Sequence, residues 1–307
     1  MATQYTGVAQ VDDSIILLMD AAFLTQAFDR IVMDNFADIE RDINAKSIDI
    51  TKYNKLAKIT AALTETTDPD GVQLVDAKAT LTPAEYGNVI TRTNLARLQT
   101  GGKVDLAAAK LVGGNMAESM NGLACVALDA SSNELVANSA ANEAALVASD
   151  TVQSSDIEYC VNRLRRTSIP PYGDGYYRAV CHPDVLDDVA KLADWKDYEK
   201  YVGPGSPDYS RNWMPRIYKQ CLWVATAGAT VNADAGAGAV DSYHSHIFGQ
   251  NALGKAISQD PVMIISGPFD KLGRFVHVGW YGVFHYAIVD QASLWMLTSS
   301  SSFGANT

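Results

Sequence analysis

Cysteine, histidine and positive charge are all scarce in this chain. Its 307 residues hold four cysteines (Cys125, Cys160, Cys181 and Cys221) and five histidines, with no CxxC pair and no zinc-type ligand spacing. Thiols this widely spread exclude a disulfide framework and predict four small buried apolar residues in a reducing compartment. Lys and Arg number 24 against 35 Asp and Glu, giving a net charge of −11. A nucleic-acid groove needs clustered cations to displace phosphate counterions, so such a groove is a poor default for this chain. A protein of this charge that lives near DNA encloses it rather than grips it. The apolar run Ile15–Met19 is cut short by Asp20 and no basic segment precedes it, which predicts no signal peptide, no membrane span and synthesis in the cytoplasm. The pairs Gly101-Gly102 and Gly113-Gly114 lack the spacing of phosphate-binding loops, and no cofactor is expected.

What is present is a chain with 48% hydrophobic and 19% charged residues, enough for a packed core in one large or two medium domains. Apolar spacing predicts a helix over 12–40. Residues 47–94 are rich in Thr, Val and Ile and broken by Asp68-Pro69-Asp70-Gly71, the chemistry of a turn between two extended runs. Such a ribbon has no core of its own and needs something to lie on. Val104, Ala108, Leu111, Val112, Met116, Met120, Leu123 and Ala127 share one face of a long helix over 103–129, in which Gly113, Gly114 and Gly122 each cost about 1 kcal/mol relative to Ala unless packing requires them. The Ala- and Ser-rich stretch 130–155 reads as a lobe boundary. A capping box from Ser155 to Glu158 opens a helix with Ile157, Cys160, Val161 and Leu164 inward. A short strand at 176–182 runs into a helix with Val185, Leu186, Val189 and Leu192 inward, a strand follows near 216–228, and 274–299 holds two or three more. The 229–245 loop and the tail from 300 are expected to be loose.

Three clusters resemble chemistry. Cys181 and His182 are adjacent, but neighbours on a strand point to opposite faces, so they make no nucleophile and base pair; the expectation is a structural strand-to-helix junction. His244 and His246 share a strand face and could hold a metal, yet no third ligand stands near them in sequence, and a hydrogen-bonded pair is the expectation. Asp184, Asp187 and Asp188 fall in the first turns of a helix, where the dipole favours negative charge, and read as a solvated face. By these patterns Leu111 faces the core and Asp188 faces water. No catalytic or metal-ligating residue is assigned, and the chain is not expected to be an enzyme. Several elements that are unstable alone point instead to a subunit completed by its neighbours.

The succession "LTETTDPDGV", "AEYGNVI", "YRAVCHPDVLDDVAKLADW", "IFGQNALGKA" and "GRFVHVGWYGVFHYAIVD" resembles the major capsid proteins of tailed bacteriophages, and among them the family named after coliphage N4, over roughly residues 15–298. The usual glycine near "LTE" is Thr66 here, and 130–155 has no counterpart. The resemblance implies the α+β Hong Kong 97 phage-like capsid fold: an N-terminal arm over 1–46, an extended β loop over 47–95, a peripheral domain with a spine helix over 96–167, an axial domain over 168–262, and return strands and tail over 263–307. It places the subunit interface at the loop tip, Leu63, Glu65, Thr66, Thr67, Asp68, Pro69, Asp70, Gly71 and Val72. It further implies self-assembly as pentamers and hexamers into a virion shell around DNA, with no membrane, a portal protein as partner, and scaffolding and decoration proteins as further partners. An encapsulin-like cellular nanocompartment is the alternative within the fold, and a Cys or metal hydrolase the alternative outside it.

Overall fold

The computed structural model of the chain describes residues 18–25, 31–42, 46–60, 62–63, 65–66, 68, 70–196 and 217–303. Helical residues 18–25 form α1. Strands β1 (Asp38–Arg41), β2 (Ile48–Tyr53), β3 (Asp76–Leu81) and β4 (Ala84–Thr93) lead to α2 (Asn94–Thr100) and α3 (Lys103–Asp129). Then come β5 (Glu134–Val136), α4 (Ser154–Arg166), β6 (Tyr177–Cys181) and α5 (Pro183–Lys191). The chain closes with β7 (Ile217–Tyr218), β8 (Cys221–Ala225), β9 (Val231–Asn232), β10 (Ser242–Phe248), β11 (Leu253–Phe269), β12 (Phe275–Ile288) and β13 (Leu294–Ser299).

Two sheets flank the long helix. One has the order β1-β11-β12-β4; the other runs β5-β13-β10-β6-β8-β7, with β9 paired to β10; β2 and β3 form a separate ribbon. α3 lies across β4, β11 and β12, burying Ala108, Ala109, Val112, Met116, Met120, Ala124 and Leu128 against Val278, Trp280 and Phe284. A second core fills the space between the seven-stranded sheet and α4 and α5, from Ile157, Cys160, Leu164, Val185, Leu186, Val189 and Ile247. β10 is buried along its whole length, because alternate side chains serve the two cores.

α3 spans the residues whose spacing predicts it, but its exposed stripe differs. Leu111 is 66% exposed, whereas Val112 beside it is 3% exposed. Leu111 therefore faces away from the core. A Cβ on Gly113 would come 2.6 Å from the backbone oxygen of Phe23, so this glycine admits α1 against the helix. The break before α3 is made by Gly101 and Gly102, both left-handed with φ of 61° and 81°, a conformation that glycine adopts without strain.

The helix expected over 12–40 is helical at 18–25 but not beyond 31: Met33–Phe36 is a 3-10 turn and β1 pairs in parallel with β11. Tertiary bonds redirect it. Asn121 Oδ1 accepts the N–H groups of Val32 and Met33 at 3.0 and 3.2 Å, and Asp34 accepts from buried Lys255 and from the Tyr286 hydroxyl. Only β2 and β3 form the ribbon, since β4 pairs with β12 along ten residues. The cap of α4 lies two residues earlier than the expected Ser155–Glu158 box: Gln153 N–H donates to Asp156 at 3.2 Å and Asp156 N–H to the Gln153 carbonyl at 3.1 Å. Residues 229–245 contain β9 and the start of β10, and the tail is held through Phe303 rather than loose.

Candidate assembly surface

Among the described residues the ribbon is tethered along its stem and at Lys55. Ile48, Ile50 and Leu81 pack on Ala256 of β11, Lys52 pairs with Asp290, and Lys55 Nζ donates to the carbonyls of Thr167, at 3.0 Å, and Ser168. Beyond the last ladder pair, Tyr53 with Asp76, the described residues carry no strand and turn Leu56, Ile59, Leu63, Val72, Leu74 and Val75 outward, Ile59 being 86% exposed. Leu63, Glu65, Thr66, Asp68, Asp70, Gly71 and Val72 are all exposed; Thr67 and Pro69 lie outside the described residues. An apolar run of this length in water is an association surface or a liability.

The chemistry-bearing clusters are structural. Cys181 is fully buried, and burial pushes its thiol well above the ordinary range; the thiols of Cys125 and Cys160 are pushed up to about 12 by the same cause. A buried thiol held protonated at neutral pH is no nucleophile. His182 caps α5, its Nδ1 accepting the Asp184 N–H at 3.3 Å.

His244 and His246 project from β10 toward the end of α3, and there the fold supplies partners from three distant segments. Asp129 Oδ1 lies 3.0 Å from both His244 Nδ1 and His246 Nε2, Thr230 donates to its other oxygen, and Glu143 stands 3.3 Å from His244 Nε2 while accepting from Asn232 and Ser242. Burial works against charge on His244, but the bonds and charges of Asp129 and Glu143 outweigh it and hold its pKa above the ordinary value. Burial likewise opposes the Asp129 carboxylate, and the two imidazoles overcome it, leaving that pKa lowered. The cluster locks helix to sheet, and among the described residues no group of side chains has metal-binding geometry. Asp129 and Glu143 were invisible as partners because more than 100 residues separate each from His244.

Asp188 is not solvated. It is 6% exposed and accepts from Ser301 Oγ at 3.0 Å, from Ser302 N–H at 2.8 Å, from Ser302 Oγ, and from Lys191 Nζ at 3.0 Å. The tail is thereby fastened to α5, with Lys191 also 3.7 Å from the centre of the Phe303 ring.

No family model and no curated protein matches the chain by sequence. Solved structures match it closely in fold. The capsid of Ralstonia phage GP4 superposes with a TM-score of 0.70 at 12% identity, over 91% of this chain and 92% of that one. The acidic stable capsid structure of Helicobacter pylori bacteriophage KHP30 gives 0.65 at 12% identity, over 89% and 90%. A virus-like particle from Pyrococcus furiosus gives 0.56 at 11% identity, over 91% and 97%. No described helix is long and apolar enough to cross a membrane. The chain has the α+β Hong Kong 97 phage-like capsid fold, shared along nine-tenths of its length.

Proposed function

We propose that this chain is the major capsid protein of a tailed bacteriophage, assembling as pentamers and hexamers into an icosahedral virion shell that encloses double-stranded DNA. The observation that carries the reading is the exposed ribbon: in a fold shared with phage capsids, a loop with no core of its own turns a row of large apolar residues into water. Hydrophobic burial against a neighbour is what stabilises such a surface. The N4-like sequence order supports placing it in that capsid group. In the roles this implies, α3 is the spine helix, the four-stranded sheet its peripheral platform, and the seven-stranded sheet with α5 the axial domain; β13 lies in the latter sheet. An acidic subunit leaves packaged DNA mobile, since like charge in the lumen repels rather than binds it. A portal protein, with scaffolding and decoration proteins, would complete the particle.

Light scattering and negative-stain microscopy of the purified native protein test this directly. Uniform hollow shells or their pentamers and hexamers are expected, and a stable monomer or dimer overturns it. Deleting Thr66 to Val72 is expected to leave a folded subunit that no longer closes shells. The second reading, an encapsulin-like compartment, is favoured by the Pyrococcus particle, of which 97% is covered. Nuclease-resistant DNA inside native particles excludes it, and enclosed protein cargo establishes it.

A further inference from the structure

Lys255 is an amine that takes no part in the exposed surface. Its side chain is 2% exposed, against 27–64% for the ion-paired Lys52, Lys78, Lys191 and Lys219. A charge withdrawn from water in this way costs free energy that a surface charge does not.

Three distant segments meet at that amine. Lys255 and Tyr286 are cross-strand partners on β11 and β12. Asp34 stands in the 3-10 turn Met33–Phe36, whose start is fixed by Asn121 Oδ1 through the N–H groups of Val32 and Met33. Lys255 Nζ lies 2.5 Å from Asp34 Oδ2, and the Tyr286 hydroxyl donates to Oδ1 of the same carboxylate. The ring centres of Phe284 and Tyr286 are 5.4 and 5.2 Å from Nζ, so the amine is walled by aromatic carbon. Burial lowers the pKa of Lys255, although Asp34 pulls it upward. Burial and the nearby Asp34 charge raise that of Tyr286, which therefore remains a donor. The two oxygens of Asp34 thus have different neighbours, an amine on one and a phenol on the other.

We propose that Lys255 and Asp34 condense to an intramolecular isopeptide bond. Nζ attacks the carboxyl carbon of Asp34 and a C–N bond forms. Negative charge develops on Oδ1, where the Tyr286 hydroxyl stabilises it. Two of the three protons of the ammonium pass to Oδ2, the C–Oδ2 bond breaks, and Oδ2 leaves as water. Nζ keeps one proton as the amide N–H, and Oδ1 becomes the amide carbonyl. Ammonium and carboxylate together contain every atom of amide and water, and their charges cancel, so no co-reactant is consumed. Held in contact where water is excluded, the two groups have the effective concentration that condensation needs. The Asp34 side chain is 23% exposed, which gives the released water a way out.

The bond joins positions 221 residues apart and ties the segment entering β1 to the four-stranded sheet. It lies within one subunit and requires no neighbour, so it stands or falls separately from the capsid function proposed above.

The intact mass of the full chain, unfolded in denaturant after purification, tests the bond without any variant. The mass is expected to fall short of the sequence mass by one water, and the full sequence mass overturns the proposal. Trypsin should leave Lys255 uncut and release the peptides of Asp34 and Lys255 as one branched species. Asp34→Asn should form the same amide with loss of ammonia in place of water, and Lys255→Arg should show its full sequence mass. A water loss that persists in Lys255→Arg belongs elsewhere, as in an imide at Asp70-Gly71, and overturns the assignment. Tyr286→Phe should form the bond at least about tenfold more slowly, and an unchanged rate overturns the role given to the phenol.

Discussion

Replacing Asp188 with Ala removes one carboxylate from the junction of α5 and the tail, and its cost can be worked bond by bond. Hydrogen bonds to a charged acceptor contribute roughly 1.5–3 kcal/mol each where buried. Ser301 is buried and its hydroxyl would lose its partner. Ser302 is exposed, so its N–H and hydroxyl recover water and forfeit less. The Lys191 side chain is 49% exposed, and its ion pair counts for no more than about 1 kcal/mol. The sum is about 3 kcal/mol, concentrated in the tail and the end of β13. Local opening there should rise by about two orders of magnitude, since 1.4 kcal/mol is roughly tenfold. The reporter is the Ser300 amide, which donates to the Asp150 carbonyl at 3.0 Å and does not touch Asp188. Hydrogen exchange followed by mass spectrometry should show it exchanging about 100-fold faster in Asp188→Ala and at the parental rate in Asp187→Ala. Equal exchange in the two variants would refute the tail latch and return Asp188 to a solvated helix face.

Other consequences are equally direct. The Asp129–His244 lock should give a bell-shaped dependence of subunit stability on pH. Because the His244 pKa is raised above its ordinary 6.5, its contribution is complete below that value and is lost as pH rises through the folded-state pKa. Because the Asp129 pKa is lowered from 3.8, its contribution is complete above 3.8 and is lost only as pH falls toward the folded value. Melting curves from pH 3 to 9 should show both flanks, and an imidazole titrating at or below its ordinary value by NMR would contradict the lock. Two glycines of α3 should respond with opposite sign: Gly113→Ala drives a Cβ onto the Phe23 oxygen 2.6 Å away and should cost about 1–3 kcal/mol, while Gly122→Ala meets nothing within 4 Å and should gain up to about 1 kcal/mol. Thermal melts that move together would show that packing does not set the roles of these glycines. Leu111→Asp should leave a folded subunit, whereas Val112→Asp should abolish soluble protein by burying an unpaired charge; solubility screening of the pair decides between the two faces.

The elements legible in the sequence are those whose partners lie within one turn or one strand of themselves. α3, α4, α5 and β6 announce themselves through periodicity and caps, and the order of motifs carries the fold. Long-range bonds decide the rest. The helical spacing before residue 31 continues toward Phe36, yet Asp34 is drawn to Lys255 and Tyr286 more than 200 residues away, and the chain turns into β1. No strand is expected from sequence around Asp260-Pro261, and Pro cannot donate to a ladder. β11 nevertheless runs through it, with register shifts between Ile257 and Gln259 and between Gln259 and Val262 that take the proline out of the regular pairing. At the candidate surface, composition marks the loop, whose 60–76 stretch holds no Lys, Arg or His.

Leu111 and Asp188 were misplaced for one physical reason. Periodicity finds a helix's apolar face on the assumption that apolar means inward, which holds for a monomer that must hide its core from water. A subunit of a closed shell has a second set of surfaces to hide, and Leu95, Leu98, Leu111 and Val126, all exposed on α2 and α3, have the composition of such surfaces. The converse applies to Asp188: a carboxylate in the first half of a helix satisfies the dipole whether or not it is buried, so its place in sequence is silent about the tail that covers it. Where several subunits share the work of excluding water, an apolar residue identifies a contact without naming whether that contact is intramolecular. The Leu111→Asp and Val112→Asp pair separates the two cases, because a charge at an internal contact prevents folding, whereas one at a contact between copies prevents only assembly.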